Sequence, residues 1–136
     1  MSVRYRIHAA LRIVHTVVYD TTDAQELHAY SDQIRKDPAI GGSFNHLIEI
    51  STPGPSSDGT LAVQVFFELV PPVFQIKLAV VAPKDVDFGI ARQFQSINEL
   101  TDEIFWVFRN LEEALTWLGF EDRREGWSDW TEIDPG

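Results

Sequence analysis

The chain reads as an α/β protein, and three stretches lead there. Lys77–Gln95, KLAVVAPKDVDFGIARQFQ, takes an apolar strand through a Pro-containing turn into a helix opened by Asp85. Leu47-Ile48-Glu49-Ile50 and Glu103–Phe108 give further short strands of the buried type. Leu111, Ala114, Leu115 and Leu118 carry the clearest helical spacing in the chain. Strands that alternate with helical periods imply right-handed crossovers and a mostly parallel sheet.

Taken in order, Tyr5 and Ile7, then Ile13, Val14, Val17 and Val18, sit in two β-prone runs around Ala9-Ala10. They predict an N-terminal antiparallel hairpin whose second strand is mostly buried. His8 and His15 fall in these runs, where partner-facing or edge positions are expected and metal binding is not. Thr22 and Gln25 fit a capping box. Leu27, Ser31 and Ile34 then continue a helical face from Ala24, with Tyr30 beside it and His28 off the stripe. Arg35 and Lys36 complement the helix dipole, and Pro38 and Gly41-Gly42 stop the helix.

Glu49 is the oddity of its strand, because a carboxylate in a central strand is costly unless it is paired. Either it lies near the carboxyl end of the sheet, where α/β ligands bind, or it takes an exposed alternate position. After the turn-rich Ser51–Gly59, a helix is expected over about 58–69, with Leu61, Val65 and Leu69 on one side and Ala62 and Phe66 on the next. Ser56 or Ser57 serves as its N-cap, and Pro71-Pro72 ends it. A strand follows through Phe74, Ile76, Leu78 and Val80. Asp85 is expected to cap the next helix, whose core face is Ile90, Ala91, Phe94 and Ile97. In the last strand Ile104, Trp106 and Phe108 share a side. Asn110 with Glu113 then makes a second capping box, and Gly119 closes the final helix. The acidic segment 120–136 holds Trp127 and Trp130, which either lie back on the domain, anchor a neighbouring protomer as in a homodimer, or fray with the terminus.

The 136 residues suit one domain, and the 44% hydrophobic share with 24% charged residues is that of a globular chain. A formal net charge of -10 argues against nucleic acid and anionic lipid surfaces, and suits a basic protein partner. Without cysteine there is no disulfide framework, thiol nucleophile or thiolate metal site. No apolar run approaches the ~20 residues that span a bilayer. The N-terminus lacks the features of a secretory signal, so a cytoplasmic location is expected. Nucleophile-elbow, phosphate-loop and zinc-protease motifs are absent from the sequence. A phosphoacceptor receiver domain is rejected too, because its acids are not in place. No cofactor and no catalytic activity are expected. Arg92 and Arg109 fall near the carboxyl side of the late strands, where they meet an anion or, more commonly, form surface salt bridges.

KLAVVAPKDVDFGIARQFQ followed by VFRNLEEALTWLG, with YRIHAALRIVHTVVYD and TTDAQELHAYSDQIRKDP before them, is similar to small bacterial SpoIIAA-like proteins of the STAS-like group. STAS denotes the sulfate-transporter and anti-sigma-factor-antagonist domain. The resemblance covers residues 4–119, sets domain 1–119 apart from the 120–136 tail, and implies a βα superhelix with about four helices behind the hairpin strand. In antagonists of this superfamily a serine at the start of the helix after the third strand is phosphorylated, commonly within Asp-Ser-Ser-Gly. The matching stretch here is Pro55-Ser56-Ser57-Asp58-Gly59, which lacks the leading Asp and places an Asp before the glycine. Ser57 and Ser56 are the phosphoacceptor candidates this implies. The plainer role of both is to cap a turn.

Two functions are open from the sequence. One is a non-catalytic regulatory domain that binds a protein through the 57–70 helix and adjoining turns, gated at Ser57. The other is a binder of a small apolar ligand or lipid, since the group verges on SEC14-like folds. Asp58, Phe66, Phe67 and Phe74 mark the partner or ligand surface, the three phenylalanines lining the space between that helix and the sheet.

Overall fold

Alternation at the N-terminus builds a hairpin. In β1 (Val3–His8) Val3, Tyr5 and Ile7 are buried while Arg4 and Arg6 on the other face are half-buried; β2 (Ile13–Val18) is buried throughout. The two pair antiparallel from Val3 opposite Val18 to His8 opposite Ile13. Their turn has no glycine. Arg12 takes the left-handed conformation instead, at φ 55°, with its N–H on the Ala9 carbonyl at 3.3 Å. That conformation costs a side-chain-bearing residue about 1–2 kcal/mol.

The computed structural model describes residues 3–19, 24–41, 44–51, 77–97, 99, 104–119 and 126–133. The other elements are α1 (Ala24–Lys36), β3 (Asn45–Ile50), β4 (Leu78–Val81), α2 (Asp85–Ile97), β5 (Phe105–Phe108), α3 (Leu111–Trp117) and β6 (Thr131–Glu132). The chain is therefore α/β, with a mixed six-stranded sheet in the order β5-β4-β3-β2-β1-β6. β2 through β5 run parallel and β1 is antiparallel to both of its neighbours. Three of the four expected helices fall among the described residues. The helix expected near 58–69 lies outside them, as do Ser56, Ser57, Asp58, Phe66, Phe67 and Phe74.

Each helix is placed by its apolar face. Leu27, Tyr30 and Ile34 of α1 pack on Val3, Tyr5, Ile7, Val14 and Val18. Ala91, Phe88 and Phe94 of α2 cover Ile48, Val80, Phe105 and Val107 on the same side of the sheet. α3 takes the opposite side, where Ala114 and Leu118 meet Ile13, Leu47, Ala79, Val81 and Phe108. Tyr5 ties β1 to the end of α1 by donating to Asp37 Oδ2 at 2.7 Å. Burial first, and then that carboxylate, push its phenol up to about 12.

Three local expectations change. The last strand begins at Phe105 and not Glu103; Ile104 stands in a turn at 39% exposure. Phe105 and Val107 then face α2 while Trp106 and Phe108 face α3, so the strand is covered on both sides. Asp85 is the first helical residue of α2, and its carboxylate accepts from Arg109 Nη1. His8 and His15 are buried, at 3% and 2% exposure, rather than set at an edge. The second cap is as expected: Asn110 accepts the Glu113 N–H at 2.9 Å, and Gly119 follows with φ 86°.

Residues 126–133 lie back on the domain. β6 pairs with β1, Arg4 opposite Glu132 and Tyr5 opposite Thr131, and His8 bridges Trp127. Ile133 enters the α1 core at 2% exposure, with its N–H on the Val3 carbonyl at 3.0 Å.

Candidate functional site

The register of β1, β2 and β3 sets three ionisable side chains in a row on the α3 side of the sheet. Arg6 is directly opposite His15, and β2 and β3 pair in parallel so that Glu49 lies opposite Val17, one alternation along. Arg6 Nε donates to His15 Nδ1 at 3.1 Å. An arginine has only donors, so Nδ1 carries the lone pair and the ring proton is on Nε2. That proton is donated to Glu49 Oε1 at 3.0 Å. The neutral imidazole is thus satisfied on both edges.

Two indoles close over the row. Trp127 and Trp130 come from the returning C-terminal segment, their rings 5.8 and 5.3 Å from the His15 ring. The Arg6 guanidinium lies 4.4 Å from Trp127 and 4.6 Å from Trp130, and that of Arg4 lies 4.4 Å from Trp130 and 5.2 Å from Tyr19. A cation stacked on an indole in a partly dry setting gains about 0.5–2 kcal/mol. His8 stacks edge-on against Trp127 at 5.3 Å, and Tyr19 donates to Glu132 Oε2 at 2.7 Å at the open end.

The electrostatics follow from this enclosure. Burial pulls His15 below its ordinary value; Glu49 opposes the shift, and Arg6 and Arg4 add to it. Burial likewise lowers Arg6, Glu49 holds it up and Arg4 lowers it further. Glu49 keeps a quarter of its side chain accessible, so the row is dry at His15 and wet at the carboxylate. Of its two expected placements, Glu49 takes the one near the carboxyl end, as the penultimate residue of β3, where it is paired with His15.

The arginines flagged at the late strands are engaged elsewhere. Arg109 joins Asp85 and stacks on Phe88 at 4.0 Å; Arg92 bonds Gln95 at 2.9 Å and stacks on Trp106 at 4.4 Å. Among the described residues, no group of three or more His, Cys, Asp and Glu side chains is arranged to hold a metal ion. Also among them, no helix is long and apolar enough to cross a membrane.

Arg4 and Arg6 were not singled out by the sequence reading. Their signal was the period-two alternation Arg4, Arg6, His8 along one strand face, opposite His15 and with a lone carboxylate in a neighbouring strand. No protein-family model, curated protein or solved structure matches the chain.

Proposed function

We propose that this chain is a non-catalytic protein-interaction domain with a regulatory role, of the kind its SpoIIAA-like resemblance implies. The observation that carries this reading is the mutual engagement of Arg6, His15 and Glu49 beneath Trp127 and Trp130. Each ring nitrogen of His15 is already bonded, and the indoles stack across the ring and the guanidinium. These groups serve the domain as cross-links between three strands and its C-terminal segment. At the coarser level, the α/β class of the chain, with parallel strands β2 to β5 behind an antiparallel hairpin strand, supports this reading.

In this reading the partner meets the stretch from Ser57 through Phe74, with Asp58, Phe66, Phe67 and Phe74 at the contact. The chain's net charge of -10 selects a partner with a basic surface. A phosphate on Ser57 adds about -1.5 to -2 charge beside that contact and weakens it. Pull-down from a bacterial lysate with wild type, Ser57→Ala and Ser57→Asp, quantified by mass spectrometry, tests this. One partner should be retained by wild type and Ser57→Ala, and lost about tenfold with Ser57→Asp, a difference of about 1.4 kcal/mol. Equal recovery by all three removes the serine gate. Turnover of a substrate that stops when Glu49 or His15 is replaced removes the non-catalytic reading.

A further inference from the structure

The row of Arg6, His15 and Glu49 holds a second consequence, because its cover is a chain segment attached by few backbone bonds. Besides the two pairs of β6, the segment is held through Ser128 N–H on the Ile7 carbonyl at 2.8 Å, Ile7 N–H on Ser128 Oγ at 2.9 Å and Ile133 N–H on the Val3 carbonyl. A His8–Trp127 bridge adds to these, Ile133 is buried in the α1 core, and the contacts of both indoles converge on the arginine–histidine pair. Trp127 and Trp130 each touch both Arg6 and His15.

We propose that residues 126–133 are an acid-released latch, seated on β1 while His15 is neutral and freed from that edge when its imidazole takes a second proton. The only nitrogen open to that proton is Nδ1, which faces the Nε–H of Arg6. Protonation opposes two donors and sets an imidazolium against a guanidinium, with Arg4 one alternation beyond. Arg6 must turn away. Its guanidinium is the platform for both indoles, so one rotation unseats both.

The charged and titratable groups around His15 pull in different directions. Arg6 and Arg4 on β1 oppose the proton, and Glu49 on β3 favours it from the Nε2 side. His8 shares the Trp127 ring, and Glu132 on β6 stands opposite Arg4 while accepting from Tyr19. Burial adds to the arginines, so the seated latch excludes the proton. Release returns the ring to water, where it titrates near 6.5. The sign follows: the seated form holds fewer protons, so acid favours release, by up to about tenfold per pH unit below that value. The sheet from β2 to β5 keeps its own pairing throughout, and what opens is the outer edge of β1.

Amide hydrogen exchange on the full chain, corrected for the intrinsic pH dependence, reads the latch at Ser128 and Ile133 and the global fold at Val80 in β4. Below about pH 6.5, protection at Ser128 and Ile133 should fall by up to about tenfold per unit while remaining below that at Val80, whose own loss also carries His46. His15→Gln supplies an acceptor toward Arg6 and a donor toward Glu49 without a titrating ring, and should flatten the slope. Protection at Ser128 and Ile133 that is independent of pH, that equals protection at Val80 throughout, or that keeps its slope in His15→Gln overturns the latch. If His15→Gln does not fold, the His15 ring is titrated in wild type by NMR. Its midpoint must then coincide with the loss of protection, and a mismatch overturns the proposal.

Discussion

Arg6 joins three neighbours at once. It fixes the tautomer of His15 through Nδ1 and gives Trp127 and Trp130 a cation to rest on. Replacing His15 by leucine leaves the Arg6 Nε and the Glu49 carboxylate without their partner, and is expected to cost about 2–4 kcal/mol in urea unfolding. His15→Gln should cost less than half of that, because both hydrogen bonds have a replacement. Gly126 is the second sensitive position. Its φ of 97° suits glycine, and a Cβ there would stand 2.6 Å from His8 Nε2. Gly126→Ala should therefore lower the Tm and loosen the C-terminal segment. Gly89, in the middle of α2, has nothing within 4 Å of a built Cβ. Gly89→Ala should raise stability by about 0.5–1 kcal/mol, and equal signs for the two changes would contradict the geometry.

Among the elements, those with a strong period were legible from residues alone. Leu27, Tyr30, Ser31 and Ile34 are all buried on α1 and His28 is exposed, as the spacing required. Ala114 and Leu118 bury on α3 behind the Asn110 cap, and Asn110→Ala should cost about 1 kcal/mol by thermal unfolding. Strand ends were less legible, because β5 is apolar on both sides and its alternation carries no contrast between Ile104 and Phe105. The hairpin turn was hidden for another reason. Arg12 adopts a left-handed φ that sequence rules reserve for glycine and asparagine. Of the candidate site, Glu49 showed itself as a carboxylate that needed a partner, and the partner proved to be a histidine expected at an edge. Arg4 and Arg6 drew no expectation, because no local pattern says what will cover a strand face. That cover comes from residues more than a hundred positions away, Ser128 on Ile7 among them.

For the whole molecule, the buried rings set the pH range of stability. His46 is pushed down to about 3 by burial, and His15 is lowered as well. Both are neutral in the fold, so stability is full above pH 6.5 and is lost as the unfolded chain takes up protons below it. The loss is up to about 1.4 kcal/mol per pH unit for each group. At the alkaline end Tyr5 and Tyr30 are raised by burial, and stability held below pH 10 is lost as the pH climbs towards about 12. Urea midpoints across pH should trace a plateau with both shoulders, and a midpoint that keeps rising below pH 6 would contradict the buried neutral histidines.

The C-terminal segment completes the sheet, buries Ile133 and roofs the Arg6–His15–Glu49 row. Urea unfolding of the full chain against a chain ending at Gly119 measures that directly. Loss of the Ile133 burial alone is worth about 1.5–3 kcal/mol, so with the indoles gone the shorter chain should lose about 3 kcal/mol or more, or fail to unfold cooperatively. The same midpoint and the same slope for both chains would show that residues 120–136 are an appendage and that the row needs no roof.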